Sequence, residues 1–272
     1  MQIKQMGADL LITGLQPFTL ADTLDCGQAF RWSRNPDGSW QAVVRRRLLR
    51  VAEKQSAFYI YDCTEQEFTE IWAGYFDTGR DYTAICAEIS SDPVLKKAAA
   101  ACGGIRLLRQ EPWETLCSFI ISQNNNIPRI KGIIERLCQA FGEKIPGGYT
   151  FPDAETLAGR TLEELAPLRS GFRAKYILDA AQKVTNGTVS LSALDAMDTD
   201  SARDELMKIR GVGPKVADCV LLFAYGKTDA FPQDVWIKRT MQALFGGVLP
   251  AVALPYAGIV QQYLFHYART KQ

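Results

Sequence analysis

Lys215, Cys219 and Asp234 are the residues of this chain whose types and spacing suit chemistry carried out together. Lys215 lies in Leu206-Met207-Lys208-Ile209-Arg210-Gly211-Val212-Gly213-Pro214-Lys215-Val216-Ala217-Asp218-Cys219. The pattern predicts a helix that ends, a Gly-Val-Gly turn, and a second helix that begins. Leu206 and Ile209 fall three apart on one face, and Pro214 takes the first helical position that proline favours. Gly211 and Gly213 bring bare backbone N–H groups to a helix start, which is a ready site for a nucleic-acid phosphate. Lys215 then stands in a first turn whose dipole disfavours a cation by about 0.3–1 kcal/mol. Local rules are broken most often at functional sites. An amine there can attack an electrophilic carbon and form a Schiff base once it has lost its proton, and a desolvating pocket is the larger lever toward that loss. The alternative is a lysine that binds phosphate or is only solvated.

The elements around Lys215 must position it. From Val216 to Tyr225 every residue except Asp218 is apolar or Cys, and Gly226 supplies a stop, so this helix is expected to be buried nearly all round. Phe231-Pro232-Gln233-Asp234-Val235-Trp236 sets a carboxylate just before a helical pattern carrying Ile237, Met241, Leu244 and Phe245. Asp234 reads as an N-cap, and a capping carboxylate is also rigidly aimed, so it can stabilise positive charge on a reacting sugar or help deprotonate the amine. Cys219 follows Lys215 by four residues on the same helical face; by itself it reads as a core cysteine. Asn124 to Asn126 separate an apolar helix, Trp113 to Ile121, from one started by Pro128, which makes Asn126 a capping residue. Gln261 and Phe265 share a face of the last helix, where the plain alternatives are a solvated amide and a core ring.

A glycine hairpin and lysine followed at this distance by Pro-x-Asp-Val resembles the bifunctional helix–hairpin–helix DNA glycosylases. Cys26-Gly27-Gln28-Ala29-Phe30-Arg31-Trp32, Ile105-Arg106-Leu107-Leu108-Arg109-Gln110, Ser122-Gln123-Asn124-Asn125-Asn126-Ile127-Pro128-Arg129-Ile130 and Gly171-Phe172-Arg173-Ala174-Lys175-Tyr176 narrow the resemblance to the 8-oxoguanine DNA glycosylases, in that family's order. The similarity spans nearly the whole chain. It implies that Lys215 displaces the base from C1′ of a flipped nucleoside and then eliminates the 3′ phosphate, with Asp234 assisting. It also implies a base pocket in which Cys219 faces the base, Gln261 meets its Watson–Crick edge, and Phe265 stacks on it. The resemblance further implies that the main-chain carbonyl of Gly27 is the acceptor for the N7–H that distinguishes 8-oxoguanine from guanine; the plain reading of Gly27 is a strand glycine at a bulge. By the same resemblance Asn124 fills the gap in the duplex, Phe172 wedges beside it, Arg129 and Arg173 read the orphaned cytosine, and Gly211 and Gly213 approach the phosphates. Lys215 and Cys219 form a coupled pair whose protons the sequence leaves unassigned. Two departures stand out: Phe172 replaces the usual Tyr, and Trp236 stands where well-known members carry His.

Composition bounds the rest. With 272 residues, 47% hydrophobic and 22% charged, the chain can bury one large core or two adjoining ones. No apolar run approaches about 18 residues and the start lacks a signal-peptide core, so a cytoplasmic location is expected, nucleoid-associated if the source is bacterial. The seven cysteines, 26, 63, 86, 102, 117, 138 and 219, form no C-x-x-C pair and none follows Cys219, so neither a zinc ribbon nor the superfamily's C-terminal iron–sulfur cluster is expected. No cofactor is required, although the resemblance leaves room for a structural monovalent cation at the hairpin. Residues 1–103 carry 11 Lys and Arg against 13 Asp and Glu, and residues 104–272 carry 20 against 17, which places the DNA-facing charge in the second part. The expected partner is double-stranded DNA containing 8-oxoguanine, bound by a monomer.

The organisation follows the same division. Trp40-Gln41-Ala42-Val43-Val44, Leu48 to Ala52 and Phe58 to Tyr61 alternate as strands, with Asn35-Pro36-Asp37-Gly38 as a turn. Helical patterns occupy about 65–101 and, after Cys102-Gly103-Gly104, most of the remainder. The expected fold class is α+β: an N-terminal antiparallel sheet domain with flanking helices at 1–103, packed on an α-helical catalytic domain at 104–272 with its helix–hairpin–helix at about 201–226. Three rivals are weighed against this reading. A non-catalytic hairpin module has no need of Lys215 and Asp234 together. A monofunctional alkylation-type glycosylase would use Asp234 and water, and a His-based hydrolase would have only His266, near the C-terminus, to work with.

Overall fold

The computed structural model describes residues 1–270. Six strands, β1 (Gln2–Met6), β2 (Asp9–Thr13), β3 (Ser33–Arg34), β4 (Trp40–Val44), β5 (Arg47–Lys54) and β6 (Ala57–Ile60), form one antiparallel sheet in the order β1-β2-β6-β5-β4-β3. The register explains which face is buried. Ile60 pairs with Leu10 on one side and Val51 on the other, and Val51 pairs with Trp40, so large apolar side chains line up across a single face. Asn35 to Gly38 turns the chain between β3 and β4, with Gly38 in the left-handed region. The first strand lies ahead of the β-rich stretch expected from sequence. Most of its side chains are exposed, so it carries no buried alternation to read.

The helices of eight residues or more among the described residues are α1 (Tyr82–Ile89), α2 (Pro93–Cys102), α3 (Pro112–Ser122), α4 (Ile127–Phe141), α5 (Ala174–Thr185), α6 (Thr199–Met207), α7 (Pro214–Tyr225), α8 (Val235–Phe245) and α9 (Ala257–Thr270). Two hydrophobic cores result, and they do not divide at residue 103. Tyr82, Ile85, Ile89, Leu95, Ala98 and Cys102 of α1 and α2 belong to the helical core, because α2 packs against α9, whereas Leu108 reaches back into the core under the sheet. Composition alone cannot see this, since the partner that covers α2 lies some 160 residues further along the chain. Helix α7 is the centre of the helical core. All of Val216 to Tyr225 is buried, as the unbroken apolar run requires, and its one carboxylate, Asp218, is held by Arg203, Nε to Oδ1 2.6 Å.

Pro146-Gly147-Gly148 is more than a break between helices. It turns a two-stranded hairpin, Lys144–Ile145 with Gly148–Tyr149, that leans on the sheet, and a Cβ on Gly147 would run into the side chain of Leu48. At the seam between the cores Arg31 bridges to Glu114 on α3, 3.2 Å, and to the carbonyl of Tyr149.

Candidate active site

The hairpin between α6 and α7 has the expected place and form, but its two glycines are glycines for different reasons. Gly211 has φ +80° and a Cβ on it would lie 2.4–2.6 Å from ring atoms of Tyr176, so both backbone and packing demand glycine. Gly213 is the N-cap of α7 in extended conformation, φ −105°, and nothing lies within 4 Å of where its Cβ would stand. The space over the helix start is open, which is what an approaching phosphate needs.

Lys215 opens α7 and is half-buried. Its Nζ lies 5.2 Å from the ring centroid of Phe119 on α3, and that ring is stacked on Phe223, 5.4 Å and 17°, and meets Phe30 edge-on at 5.6 Å. The lysine therefore emerges beside an aromatic wall. Cys219, one turn further on, is buried, and burial pushes its thiol up to about 11 while Lys215 opposes through its charge and a hydrogen bond. At neutral pH the pair is thus a lysine beside a protonated thiol, because the cost of burying a thiolate exceeds its attraction to the amine. Asp234 caps α8, accepting from Ile237 N at 2.7 Å, and is close enough to raise the Cys219 thiol further. The cap reading holds, and the carboxylate is fixed at the start of a helix within electrostatic reach of Cys219. Val235 and Trp236 follow it with exposed side chains.

Gly27 is not in a strand. It sits at φ +87° in a bend after the short helix Leu20–Asp25, and its Cβ position is 3.7 Å from the ring of Phe265 and 3.9 Å from Ile127. Residues almost 240 positions apart are thereby brought into contact. The bend is held by Gln28, which is fully buried: its Nε2 donates to Thr23 O and Arg106 O at 2.8 Å, and its Oε1 accepts from Leu108 N at 2.9 Å. Gln110 ties the same bend to the helical core through Gln28 O, 2.7 Å, and Phe223 O, 2.8 Å. Gln261 is buried rather than solvated and its Oε1 accepts from Gln262 Nε2 at 2.7 Å.

The other predicted residues gather at the C-terminal end of α3. Asn124 is exposed and left-handed, φ +47°. Asn126 caps α4 through Arg129 N, 3.0 Å, as expected. Arg129 and Phe172 are exposed, and the Phe172 ring meets Tyr176 edge-on at 5.8 Å. Arg173 differs from its supposed partner: it is only 2% exposed, and its guanidinium donates to Gln123 O and Asn124 O on one side and to Ser170 O on the other. Burial and the neighbouring Arg129 both make it easier to deprotonate than usual, but an arginine stays charged regardless.

Phe119, Ile127, Gln28 and Tyr176 escaped the sequence reading. The first two sit in helical patterns that look like plain core, and nothing local says which apolar residue will face a lysine. Gln28 carried a signal, a polar side chain inside an otherwise apolar block. Among the described residues no cluster of three His, Cys, Asp or Glu could hold a metal ion, and no helix is long and apolar enough to cross a membrane.

Comparison with known proteins bears on this geometry. Residues 10–116 match the family described as 8-oxoguanine DNA glycosylase, N-terminal domain, and residues 117–247 match the HhH-GPD superfamily base excision DNA repair proteins. The N-glycosylase/DNA lyase of Saccharomyces cerevisiae is 35% identical over 254 residues, 81% of this chain and 66% of the yeast protein. The chain spans just under two thirds of the length of the curated relatives it matches. Two solved structures cover nearly all of it. MBOgg1 in complex with a low-affinity DNA ligand superposes with a TM-score of 0.93 at 43% identity, and the Clostridium acetobutylicum 8-oxoguanine glycosylase/lyase bound to double-stranded DNA with cytosine opposite 8-oxoguanine does so with 0.93 at 38%; each covers 99% of this chain and 98% of the solved one.

Proposed function

Because the chain belongs to the 8-oxoguanine DNA glycosylase family within the HhH-GPD superfamily, we propose that it excises 8-oxoguanine from double-stranded DNA and cleaves the strand at the resulting abasic site. The observation that carries this reading is the Lys215–Cys219 pair at the start of the hairpin helix, with the Asp234 carboxylate near enough to act on the same thiol and Phe265 lying against the Gly27 bend.

The target nucleotide must leave the stack before any side chain can reach C1′. Flipped against Phe265, an 8-oxoguanine donates its N7–H to the Gly27 carbonyl, an interaction guanine cannot make. The Lys215 nitrogen, having lost a proton, uses its lone pair to form the new bond to C1′ as the glycosidic bond breaks, and the base departs with the electron pair of that broken bond and is then protonated. Asp234 offsets the positive charge that grows on the sugar. Ring opening gives a Schiff base to Lys215; loss of a C2′ proton expels the 3′ phosphate, and hydrolysis frees the lysine. A neutral Cys219 packs against the base and leaves the amine as the nucleophile. Opposite the lesion, Asn124 fills the gap, Phe172 wedges into the stack, and Arg129 meets the O2 and N3 acceptors of cytosine, so excision is fastest opposite cytosine.

Borohydride reduction in the presence of duplexes with 8-oxoguanine opposite each normal base tests the scheme. The wild type should be trapped on DNA, most rapidly opposite cytosine, and Lys215→Gln should bind DNA without being trapped. Trapping that persists in Lys215→Gln would remove the assignment. Release of an alkylated purine as readily as of 8-oxoguanine, without trapping, would favour the alkylation-type reading.

A further inference from the structure

The segment Ile105-Arg106-Leu107-Leu108-Arg109-Gln110 belongs to no helix or strand, yet its main chain is held along its length. The N–H groups of Leu107 and Arg109 donate to Tyr82 Oη and Tyr75 O, each at 2.9 Å. The alternate residues converge on Gln28. Leu108 N–H donates to its Oε1 at 2.9 Å, Arg106 O takes one hydrogen of its Nε2 at 2.8 Å, and Gln110 Nε2 donates to its main-chain carbonyl at 2.7 Å. Thr23 O takes the other hydrogen of Nε2, also at 2.8 Å. A glutamine side chain offers two N–H donors and an acceptor oxygen, and all three are engaged here in a residue with no solvent exposure. The residue before it is treated differently. Gly27 is left-handed, φ +87°, and among the described residues nothing donates to its carbonyl oxygen.

We propose that Gln28 is a positioning residue for lesion discrimination: anchored by the 105–110 segment, it holds the peptide group that carries the Gly27 carbonyl, so that this oxygen stays aligned with the N7–H of a flipped 8-oxoguanine. The proposal rests on the glycosylase reading above and deepens it. The peptide joining Gly27 to Gln28 is planar, so its orientation is set by two angles, ψ of Gly27 and φ of Gln28. Glycine restrains the first only weakly. The second is restrained because Gln28 is gripped beyond its Cα, at both ends of its amide and at its own carbonyl. Alignment matters because discrimination from guanine rests on one hydrogen bond, and such a bond weakens steeply as its angle closes. An apolar side chain of the same length would fill the volume but could not address two carbonyls and an N–H at once.

Gln28→Met keeps the length and removes both donors and the acceptor. Its preference for a duplex carrying a non-cleavable 2′-fluoro 8-oxoguanine over one carrying 2′-fluoro guanine should shrink by about tenfold relative to wild type, the scale of one hydrogen bond. Affinity for a duplex with a tetrahydrofuran abasic analogue, which offers no base to read, should be unchanged, and borohydride trapping on a true abasic site should persist. Gln110→Leu removes a single anchor at a half-buried position and should shrink the same preference by about threefold, as befits one weaker constraint. It decides the matter even where Gln28→Met does not fold. An undiminished preference for 8-oxoguanine in the folded variants would overturn the proposal. So would an equal weakening on the abasic analogue, since Gln28 would then serve packing alone. A wild type that shows no preference for 8-oxoguanine, or is not trapped on it, would instead remove the glycosylase reading on which the proposal stands.

Discussion

The two ends of the proposed DNA-facing surface are built on opposite principles. Beyond the half-buried Lys215 the helix is buried on every side from Val216 onward, the wall is aromatic, and the neighbouring thiol is held protonated by burial. Around Asn124 the candidate side chains Asn124, Arg129 and Phe172 are exposed and the Asn124 backbone is left-handed, its carbonyl accepting from the buried Arg173. The first end suits covalent chemistry, where a dry setting strengthens charge interactions; the second suits gap filling, where side chains must meet whatever bases are present. Tyr176 joins the two, lying under Gly211 on one side and against Phe172 on the other.

The largest effect that would sharpen the contrast is expected at Asp234. Asp234→Asn retains a capping oxygen and removes the charge, so the protein should melt near the wild-type temperature while single-turnover base release falls by about 10²–10³, the scale of one lost electrostatic stabiliser. An unchanged rate would leave Asp234 as a cap only. Next comes the hairpin. Gly211→Ala forces a Cβ into the Tyr176 ring at positive φ, and should destabilise the fold by about 2–4 kcal/mol, from backbone strain plus overpacking. Gly213→Ala meets open space at an ordinary φ, so it should leave chemical denaturation almost unaltered and weaken only DNA binding. Equal loss of stability in the two variants would contradict the distinction between them.

Arg129→Ala should shrink the preference for cytosine over adenine by about tenfold, since unpaired arginine donors cost about 1–3 kcal/mol each, and should spare Schiff-base formation at an abasic site. The same ratio of rates in variant and wild type would restrict Arg129 to phosphates or packing. The smallest expected effect lies at the seam between the cores. Burial pushes the Glu114 carboxyl up to about 7, with Arg31 opposing. A carboxyl raised in the folded state contributes stability in full below its unfolded value of about 4.3, and loses it as pH rises through about 7. The wild type should therefore lose melting temperature between pH 5 and 8 more steeply than Glu114→Gln, and parallel slopes would show that another group titrates there.

The sheet, the helices and the hairpin were legible because each is written in local spacing: alternation in β4 to β6, the apolar run of α7, the glycines, and an aspartate three residues before Ile237. A helix all of whose residues are buried announces itself. Strand β1 was not legible, since exposed side chains leave no alternation, and the assignment of α1 and α2 to the helical core depends on a helix that arrives at residue 257.

Within the proposed site, residue types and family-like order were enough to propose Lys215, Asp234, Gly27 and Phe265 and to expect the hairpin between α6 and α7. Tertiary structure alone decided that Phe265 lies against Gly27, that Lys215 faces Phe119, and that burial favours the protonated thiol of Cys219. It also decided that Arg129 and Arg173, which look alike in sequence, differ in kind: one reaches into solvent and the other is bonded to the main chain. The physical reason is that a side chain's chemistry follows from its desolvation and its partners, and both are contributed by segments that local sequence does not contain.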